Sequence, residues 1–354
     1  MKNINKNKNI NINININIKV CLYLEFYHFL GGILFKNIGT GLLSSYKNQK
    51  TILKTLGVEF TERWDDNCDI YQFNTPWLKS IYLMKKAKRM GKKVVIWSHV
   101  SAEDINGVFR FSSFLVPIAR KYLGYAYNLA DIIVAPSEHT RGLLKGYGIS
   151  TDKVMVMSNG VDIKKFIHDE ENRNAMRKKY ELSGTVVGNV GLVIPRKGTD
   201  VYLSISKKFP KNNFVWFGKI YNSVIAEALP KTLPDNLKFT GYVEDGIAAF
   251  DALDIFMFPE KEGNEGMVVL EAAALGLPIL IRDIPVYKGW MFDRKNCLMA
   301  KNDEEFEVCL KELIENPELR KQLGENAKIM ANERSMEALG IKTLGVYDKL
   351  LGKY

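Results

Sequence analysis

Short apolar runs and segments of helical period take turns along most of this chain, and they do so in two separate series. In the first, "KVCLYLEF", "DIYQFN", "KKVVIWSHV", "ADIIVAPS" and "KVMVMSNGVD" read as buried strands, with "GTGLLSSYKNQKTILKTLG", "SIYLMKKAKRMG" and "EHTRGLLKGYG" as helices between them. Strands that alternate with helices in this way close as a parallel sheet with crossover helices on its faces. The second series runs through "TVVGNVG", "NNFVWFG", "LKFTGYV", "LDIFMFP" and "PILIRDI", with helices at "TDVYLSISKKF", "GIAAFDAL" and "VVLEAAALG". One series gives way to the other between Ser158 and Phe166, and everything from Asp303 onward is helical by period. A chain of 354 residues suits two domains. The pattern predicts two doubly wound α/β domains facing across a cleft, residues 18–160 and 161–335, with a last helix over 336–354 crossing back to the first. Ligands of such sheets bind beyond the carboxyl ends of the strands.

The ends of the first series need separate reading. "MKNINKNKNININININI" is low in complexity, and asparagine is a poor strand former, so residues 1–17 are expected to be a disordered leader outside the fold. The apolar stretch from Val20 to Phe35 is short for a membrane span and carries Glu25 and His28, both costly in hydrocarbon. No small-residue cleavage site marks a signal peptide. The four cysteines lack metal-ligand spacing and read as reduced thiols of a cytoplasmic protein.

The densest chemistry lies in "EKEGNEGMVVLEAAALG", Glu260 to Gly276. A strand ends at Pro259, a loop rich in glycine and glutamate follows, and then a helix that must be buried. Glycine at a helix start leaves backbone N–H groups bare, and with the helix dipole these favour an anion such as a phosphate. Glu271, one to two turns in, is placed to accept the vicinal hydroxyls of a ribose. The stretch therefore reads as a nucleotide-sugar site, with Gly263, Asn264, Gly266, Met267, Val268 and Glu271 as donor-binding residues.

Taken in order, "ADIIVAPSEHTRGLLKGYGI", "VMVMSNGVDIKKF", "GNVGLVIPRKGTDVYL", "NFVWFG", "LKFTGYV" and "DIFMFPEKEGNEGMVVLEAAALGLPILIRD" resemble the retaining glycosyltransferases of family 4, which have the GT-B fold. "EGNEGMVVLEAAALGLPILIRDIPVYKGWM", "GTGLLSSYKNQ" and "HVSAEDINGVFRFS" most resemble the bacterial enzymes that glycosylate diacylglycerol or its monoglycosyl derivative. The resemblance implies transfer of glucose or galactose from a UDP-sugar, front-face attack with retention, and no bound metal or other cofactor. It implies leaving-phosphate stabilisation by Arg196, Lys197 and the helix start at Gly266, with the loop Gly39–Thr40–Gly41 facing the same cleft. Gly241 and Val243 are expected at the donor as well. His99, at the end of "VVIWSH", is expected to touch the hydroxyls of the donor sugar. Two departures stand out. Family members place two glutamates eight positions apart, yet position 263 is glycine, so either Glu262 or Glu265 reaches the sugar or backbone N–H groups suffice. Leu192 stands where many relatives carry a basic residue. "WDDNCD" reads as a solvated turn, not a metal motif.

Charge places the acceptor. Residues 1–160 carry 22 Lys and Arg against 11 Asp and Glu, whereas residues 161–354 carry 28 against 29. A basic first domain suits a polyanionic partner, and no nucleic-acid recognition module is visible, so an anionic lipid surface is expected. Lys85, Lys86, Lys88, Arg89, Arg110, Phe111, Phe114, Arg120 and Lys121 form the expected membrane and acceptor face. Glu103 and Asp104 either orient the acceptor hydroxyl or cap the next helix. The resulting expectation is a monomeric or weakly dimeric enzyme, peripheral on the inner face of the plasma membrane, with a glycolipid acceptor. The alternatives are a soluble or polysaccharide acceptor, and a non-catalytic nucleotide-sugar-binding protein.

Overall fold

The computed structural model describes residues 18–25, 41–105, 112–220, 230 and 232–352. The leader and Gly39, Thr40, Arg110 and Phe111 lie outside the described residues. Two six-stranded sheets organise the rest. The first holds β1 (Lys19–Tyr23), β2 (Glu59–Thr61), β3 (Ile70–Phe73), β4 (Lys93–Trp97), β5 (Ile132–Ala135) and β6 (Val154–Val156), in the order β2-β1-β3-β4-β5-β6. The second holds β7 (Val186–Val190), β8 (Asn213–Phe217), β9 (Leu237–Gly241), β10 (Ile255–Phe258), β11 (Ile279–Arg282) and β12 (Leu298–Ala300), in the order β12-β11-β10-β7-β8-β9. Every pairing within them is parallel.

Helices α1 (Gly41–Thr55), α2 (Leu78–Arg89), α3 (Val116–Asn128) and α4 (Glu138–Gly146) belong to the first half. The second half carries α5 (Glu170–Lys179), α6 (Thr199–Lys208), α7 (Gly246–Asp251), α8 (Met267–Leu275), α9 (Asp303–Glu315) and α10 (Pro317–Asn332), before α11 (Met336–Leu351). Side chains alternate across each strand, so each sheet feeds two cores. In the first sheet Val20 and Leu22 bury one way, while Cys21 and Tyr23 bury the other.

Four elements go beyond the sequence reading. The strands β2 and β12 have three residues each, too short for a periodic signal. α3 and α5 were not legible as helices. In "VPIARKYLGYAYN" the aromatic residues dominate the pattern, and α5 buries only Met176.

The chain crosses between halves twice. Val161 pairs with Ser335 in an isolated parallel bridge, so the outward and returning strands run side by side. After it, α11 packs on the first sheet, burying Met336, Leu339, Leu344, Val346, Tyr347 and Leu350 against Val20, Leu22, Tyr46 and Leu53. Burying that many large apolar side chains stabilises the return by roughly 1.5–3 kcal/mol each, an upper figure because the unfolded chain already buries some surface.

Candidate active site

In the second sheet the strand order reverses between β7 and β10, and the loops leaving those strands flank that point. A ligand crevice is expected there. A cleft of about 550 Å³ opens at this place, lined by both halves. Its lining includes Gly41 and His99 from the first half and Gly191, Arg196, Lys197, Val243, Gly263, Glu265, Gly266, Met267, Val268 and Glu271 from the second. Asp104, Asn264 and Leu192 line it too. Gly241 lies just outside, its carbonyl accepting the Gly218 N–H at 2.9 Å.

The turn Pro195–Lys197 carries the two cations and closes on Gly198, which has φ +81°. A Cβ there would sit 2.3 Å from the Pro259 carbonyl oxygen, so the turn lies directly on the end of β10. The Lys261 N–H donates to the Arg196 carbonyl at 2.9 Å, which pins the turn to the loop. Gly266 has φ +85° and caps α8 without a side-chain bond, so the first N–H groups of this helix stay open to the cleft. The rest of α8 is apolar all round, and Val269, Leu270, Ala272, Ala273 and Ala274 are buried. Only Glu271 breaks that surface. It makes no hydrogen bond or ion pair with the described residues, and burial alone pushes its carboxyl up to about 8.

The glutamates of this loop are placed in three different ways. Glu262 is exposed and lines a smaller neighbouring cavity with Glu103, Asp104 and His139. Glu265 is buried, and its carboxylate accepts the Asn159 N–H at 2.8 Å, so it holds the crossing between the halves. The carboxylate beside position 263 belongs to Glu260. A Cβ at Gly263 would lie 2.8 Å from Glu260 Oε2, so Glu260 fills the space into which a side chain at 263 would grow. Glu260 is fully buried, bonds Lys197, lies 3.4 Å from Arg196 Nη1 and accepts from the Tyr287 hydroxyl at 3.3 Å. One of the two cationic charges is therefore matched from within. Burial pushes the Lys197 ammonium below its usual range, and Glu260 opposes that shift.

On the opposite wall His99 stacks on Trp97 with ring centroids 5.7 Å apart, and its Nε2 lies 3.1 Å from Asn74 Oδ1. Burial lowers its pKa to about 3, so the ring is neutral. The loop of α8 reaches across: Asn264 donates to the His99 carbonyl at 3.1 Å and to Asp104 at 2.9 Å, while its own carbonyl accepts from Ser137 at 2.8 Å. Asp104 also accepts the Ser101 N–H at 2.8 Å, and Glu103 bonds Tyr147 and Arg120. Glu260, Asn74 and Asn159 carry no mark in the sequence, because a polar residue just after a strand leaves no periodic signal.

The expected membrane face needs a correction of emphasis. Lys86 pairs with Asp66 at 3.0 Å, Arg120 with Glu103 at 3.0 Å, and Lys88 with Asp131, so three of its cations are already neutralised. Its apolar content is larger than the sequence suggested. Leu78 and Tyr82 on α2 and Phe114, Leu115, Ile118 and Tyr125 on and before α3 are exposed. Lys85 lies 5.2 Å over the Tyr125 ring and Tyr122 bonds the Pro76 carbonyl, which brings the two stripes together.

Two parallel six-stranded sheets with a cleft lined by both halves define the GT-B fold. Residues 43–165 match the model of Glycosyltransferase Family 4, and residues 172–330 match that of Glycosyl transferases group 1. The chain belongs to the family 4 glycosyltransferases. It is 29% identical over 321 residues to the processive diacylglycerol alpha-glucosyltransferase of Acholeplasma laidlawii, covering 88% of this chain and 94% of that one. It is 26% identical to the alpha-galactosylglucosyldiacylglycerol synthase of Streptococcus pneumoniae, covering 89% and 87%. Among solved structures, Anabaena HepE in complex with UDP superimposes with a TM-score of 0.73 at 15% identity, over 94% of this chain and all of that one. WaaG, a glycosyltransferase of lipopolysaccharide biosynthesis, superimposes with a TM-score of 0.64 at 16% identity, over 95% and 100%.

Proposed function

We propose that this glycosyltransferase moves glucose or galactose from a UDP-sugar to a diacylglycerol-based acceptor at an anionic membrane surface, with retention of anomeric configuration. The observation that carries the reading is the second-half wall of the cleft. There Lys197, the open start of α8 and the unpartnered Glu271 line the same cleft. In this reading the pyrophosphate takes Lys197, Arg196 and the N–H groups at Met267 and Val268, and the ribose diol donates to Glu271. Val243 lies on the same donor side, His99 accepts from a hydroxyl of the hexose, and Glu260 positions the two cations. As the bond to the β-phosphate breaks, the acceptor hydroxyl attacks from the same face and passes its proton to the departing phosphate oxygen. The acceptor hydroxyl enters past Asp104. Similarity to two enzymes named for diacylglycerol lipids supports the acceptor class.

The membrane reading rests on the exposed stripes of α2 and α3. No helix among the described residues is long and apolar enough to cross a membrane. Six exposed apolar side chains beside Lys85, Arg89 and Lys121 suit peripheral docking, with each cation near anionic lipid contributing about 1 kcal/mol. Replacing Phe114 and Ile118 by glutamate should abolish co-sedimentation with phosphatidylglycerol vesicles, since burying each side chain is worth roughly 1.5–3 kcal/mol. UDP binding should stay unchanged, and sedimentation that survives the change would displace the docking surface.

The activity is tested by incubating the protein with each UDP-hexose and vesicles containing diacylglycerol or glucosyl-diacylglycerol, then reading the anomeric linkage of the lipid product by NMR. An α-linked glycolipid is expected, at an undiminished rate in EDTA because Lys197 and Arg196 provide the charge. No lipid product with any UDP-hexose would end the reading, and transfer only to free sugars would replace the acceptor.

UDP affinity should rise with pH. Ribose hydroxyls donate to the ionised carboxylate, and Glu271 holds its proton up to about 8 in the free protein. Binding therefore draws a proton off, and affinity climbs by up to about tenfold per pH unit between 6 and 8 and then levels. Calorimetry across that range on the protein and on Glu271→Gln checks it. Any slope left in the variant belongs to the UDP phosphate, and equal slopes in both would remove Glu271 from the site.

A further inference from the structure

A buried chain of amides runs from the returning helix α11 to His99. The Tyr347 hydroxyl donates to Gln72 Oε1 at 2.7 Å, and Gln72 Nε2 donates to Gln49 Oε1 at 2.8 Å. Gln49 Nε2 donates to Asn74 Oδ1 at 2.7 Å, and the same oxygen faces His99 Nε2 at 3.1 Å. Tyr347, Gln72, Gln49 and Asn74 are all at most 3% exposed. Together they bring α11, β3, α1 and the loops after β3 and β4 into one polar thread through an apolar core.

The direction of the thread is fixed where it meets the Tyr23 carbonyl and is completed at Tyr347. Asn74 Nδ2 faces the Tyr23 carbonyl at 3.4 Å, and a carbonyl only accepts, so Asn74 Oδ1 must turn toward Gln49 and His99. At the far end the tyrosine O–H satisfies Gln72 Oε1. Reversing any one amide sets oxygen against oxygen, and an unmet buried polar group costs roughly 1–3 kcal/mol. Asn74 Oδ1 therefore accepts from His99, with the Ser45 hydroxyl, whose own proton goes to Asn159, at 3.5 Å from the same nitrogen, and the imidazole carries its proton on Nε2. Nδ1 has no partner among the described residues.

We propose that Tyr347 is a positioning residue for sugar transfer: through Gln72, Gln49 and Asn74 it holds His99 in the Nε2–H tautomer, with bare Nδ1 available to accept a hydrogen bond from a donor-sugar hydroxyl. The inference rests on the reading of His99 as a sugar contact. The same helix that ties the chain's end to its first sheet thus orients a group in the cleft, using a residue 275 positions from its first partner. It acts by orientation and takes no proton from the reaction.

Two measurements on the full chain test it. Nitrogen-15 NMR of the histidine rings, with His99 assigned by His99→Gln, should show Nε2–H alone in the unaltered protein. Tyr347→Phe and Gln72→Leu should admit a visible Nδ1–H population. Asn74→Asp, which keeps the accepting oxygen, should retain Nε2–H where Asn74→Leu loses it. The second measurement is a double-mutant cycle on UDP release from UDP-glucose with vesicles of dioleoylglycerol and phosphatidylglycerol. Tyr347→Phe should lower kcat about tenfold, the worth of one buried hydrogen bond, with little change in KM. In the His99→Ala background the same change should have no further effect on kcat. A wild-type ring protonated on Nδ1, a tautomer unmoved by both variants, or additive losses in the cycle would overturn the proposal. Full turnover by His99→Ala would instead overturn the sugar-contact reading on which it stands.

Discussion

Lys197→Ala should lower kcat by about a hundred- to a thousandfold, the loss seen when a preorganised charge-stabilising donor is removed from a transition state. Lys197 is deep enough that burial lowers its pKa, and it lies 4.9 Å over the Phe258 ring and in contact with Glu260. Charge that develops on a leaving phosphate in this cleft meets few other cations. Leu192 offers none, Lys219 lines the cleft but is exposed, and Arg196 is tied to the Glu262 carbonyl at 2.7 Å. Removing Lys197 also strips Glu260 of its closest partner, and breaking a buried pair destabilises by roughly 3–5 kcal/mol. The two effects separate in the variant Lys197→Met with Glu260→Gln, which restores neutrality. Its melting temperature should return toward that of the parent, while its turnover stays at the level of Lys197→Ala. If turnover recovered with stability, Lys197 would be a structural residue and the phosphate would bind elsewhere.

Gly198→Ala should destabilise the second half by about 2–5 kcal/mol. Left-handed backbone at a residue with a Cβ costs roughly 1–2 kcal/mol, and forcing a methyl into a filled space adds roughly 1–3. Both apply here, since φ is +81° and the added carbon would lie 2.3 Å from a backbone oxygen. The strain can relax only by lifting the Arg196–Lys197 turn off the end of β10. UDP affinity should therefore fall in parallel with stability, which urea denaturation and calorimetry measure side by side. Gly184→Ala, also at positive φ but with open space around it, supplies the contrast: it should lose only the conformational share and keep its UDP affinity. A Gly198→Ala protein with parental stability would mean that the turn is not held against β10.

Much of this was legible along the chain. β10 and the helix after it are visible because a fully buried strand reads as an unbroken apolar run and α8 as an apolar block stopped by Gly276, while β7, interrupted by Asn189, shows through its paired valines. Glu271 stood out as the one charge inside that block. The cations of "PRKG" and the histidine after "VVIWS" were found by their place after a strand, where a doubly wound fold puts its ligand. Spacing along the loop points to Glu262 or Glu265, whereas the carboxylate packed against Gly263 is that of Glu260. Glu260 lies three positions away in sequence and touches the space in question only because the loop folds back on the Arg196–Lys197 turn.

The membrane face shows the same division. Its composition was plain, but its charge balance was not, because Asp66 and Asp131 come from separate loops to cancel Lys86 and Lys88. The stripe of Leu78, Tyr82, Ile118 and Tyr125 exists only once α2 and α3 lie side by side.

What the sequence alone determined are properties carried by neighbours in the chain: apolar period, turn chemistry, the bare helix start and the two-sheet plan, each of which follows from a few consecutive residues. What the tertiary structure decided are the pairings between residues far apart. Which carboxylate balances Lys197, which acid silences which surface lysine, and which nitrogen of His99 carries the proton all depend on distances of a few ångströms across the packed core. Hydrogen bonds and ion pairs fall off too steeply with distance for any local pattern to encode them.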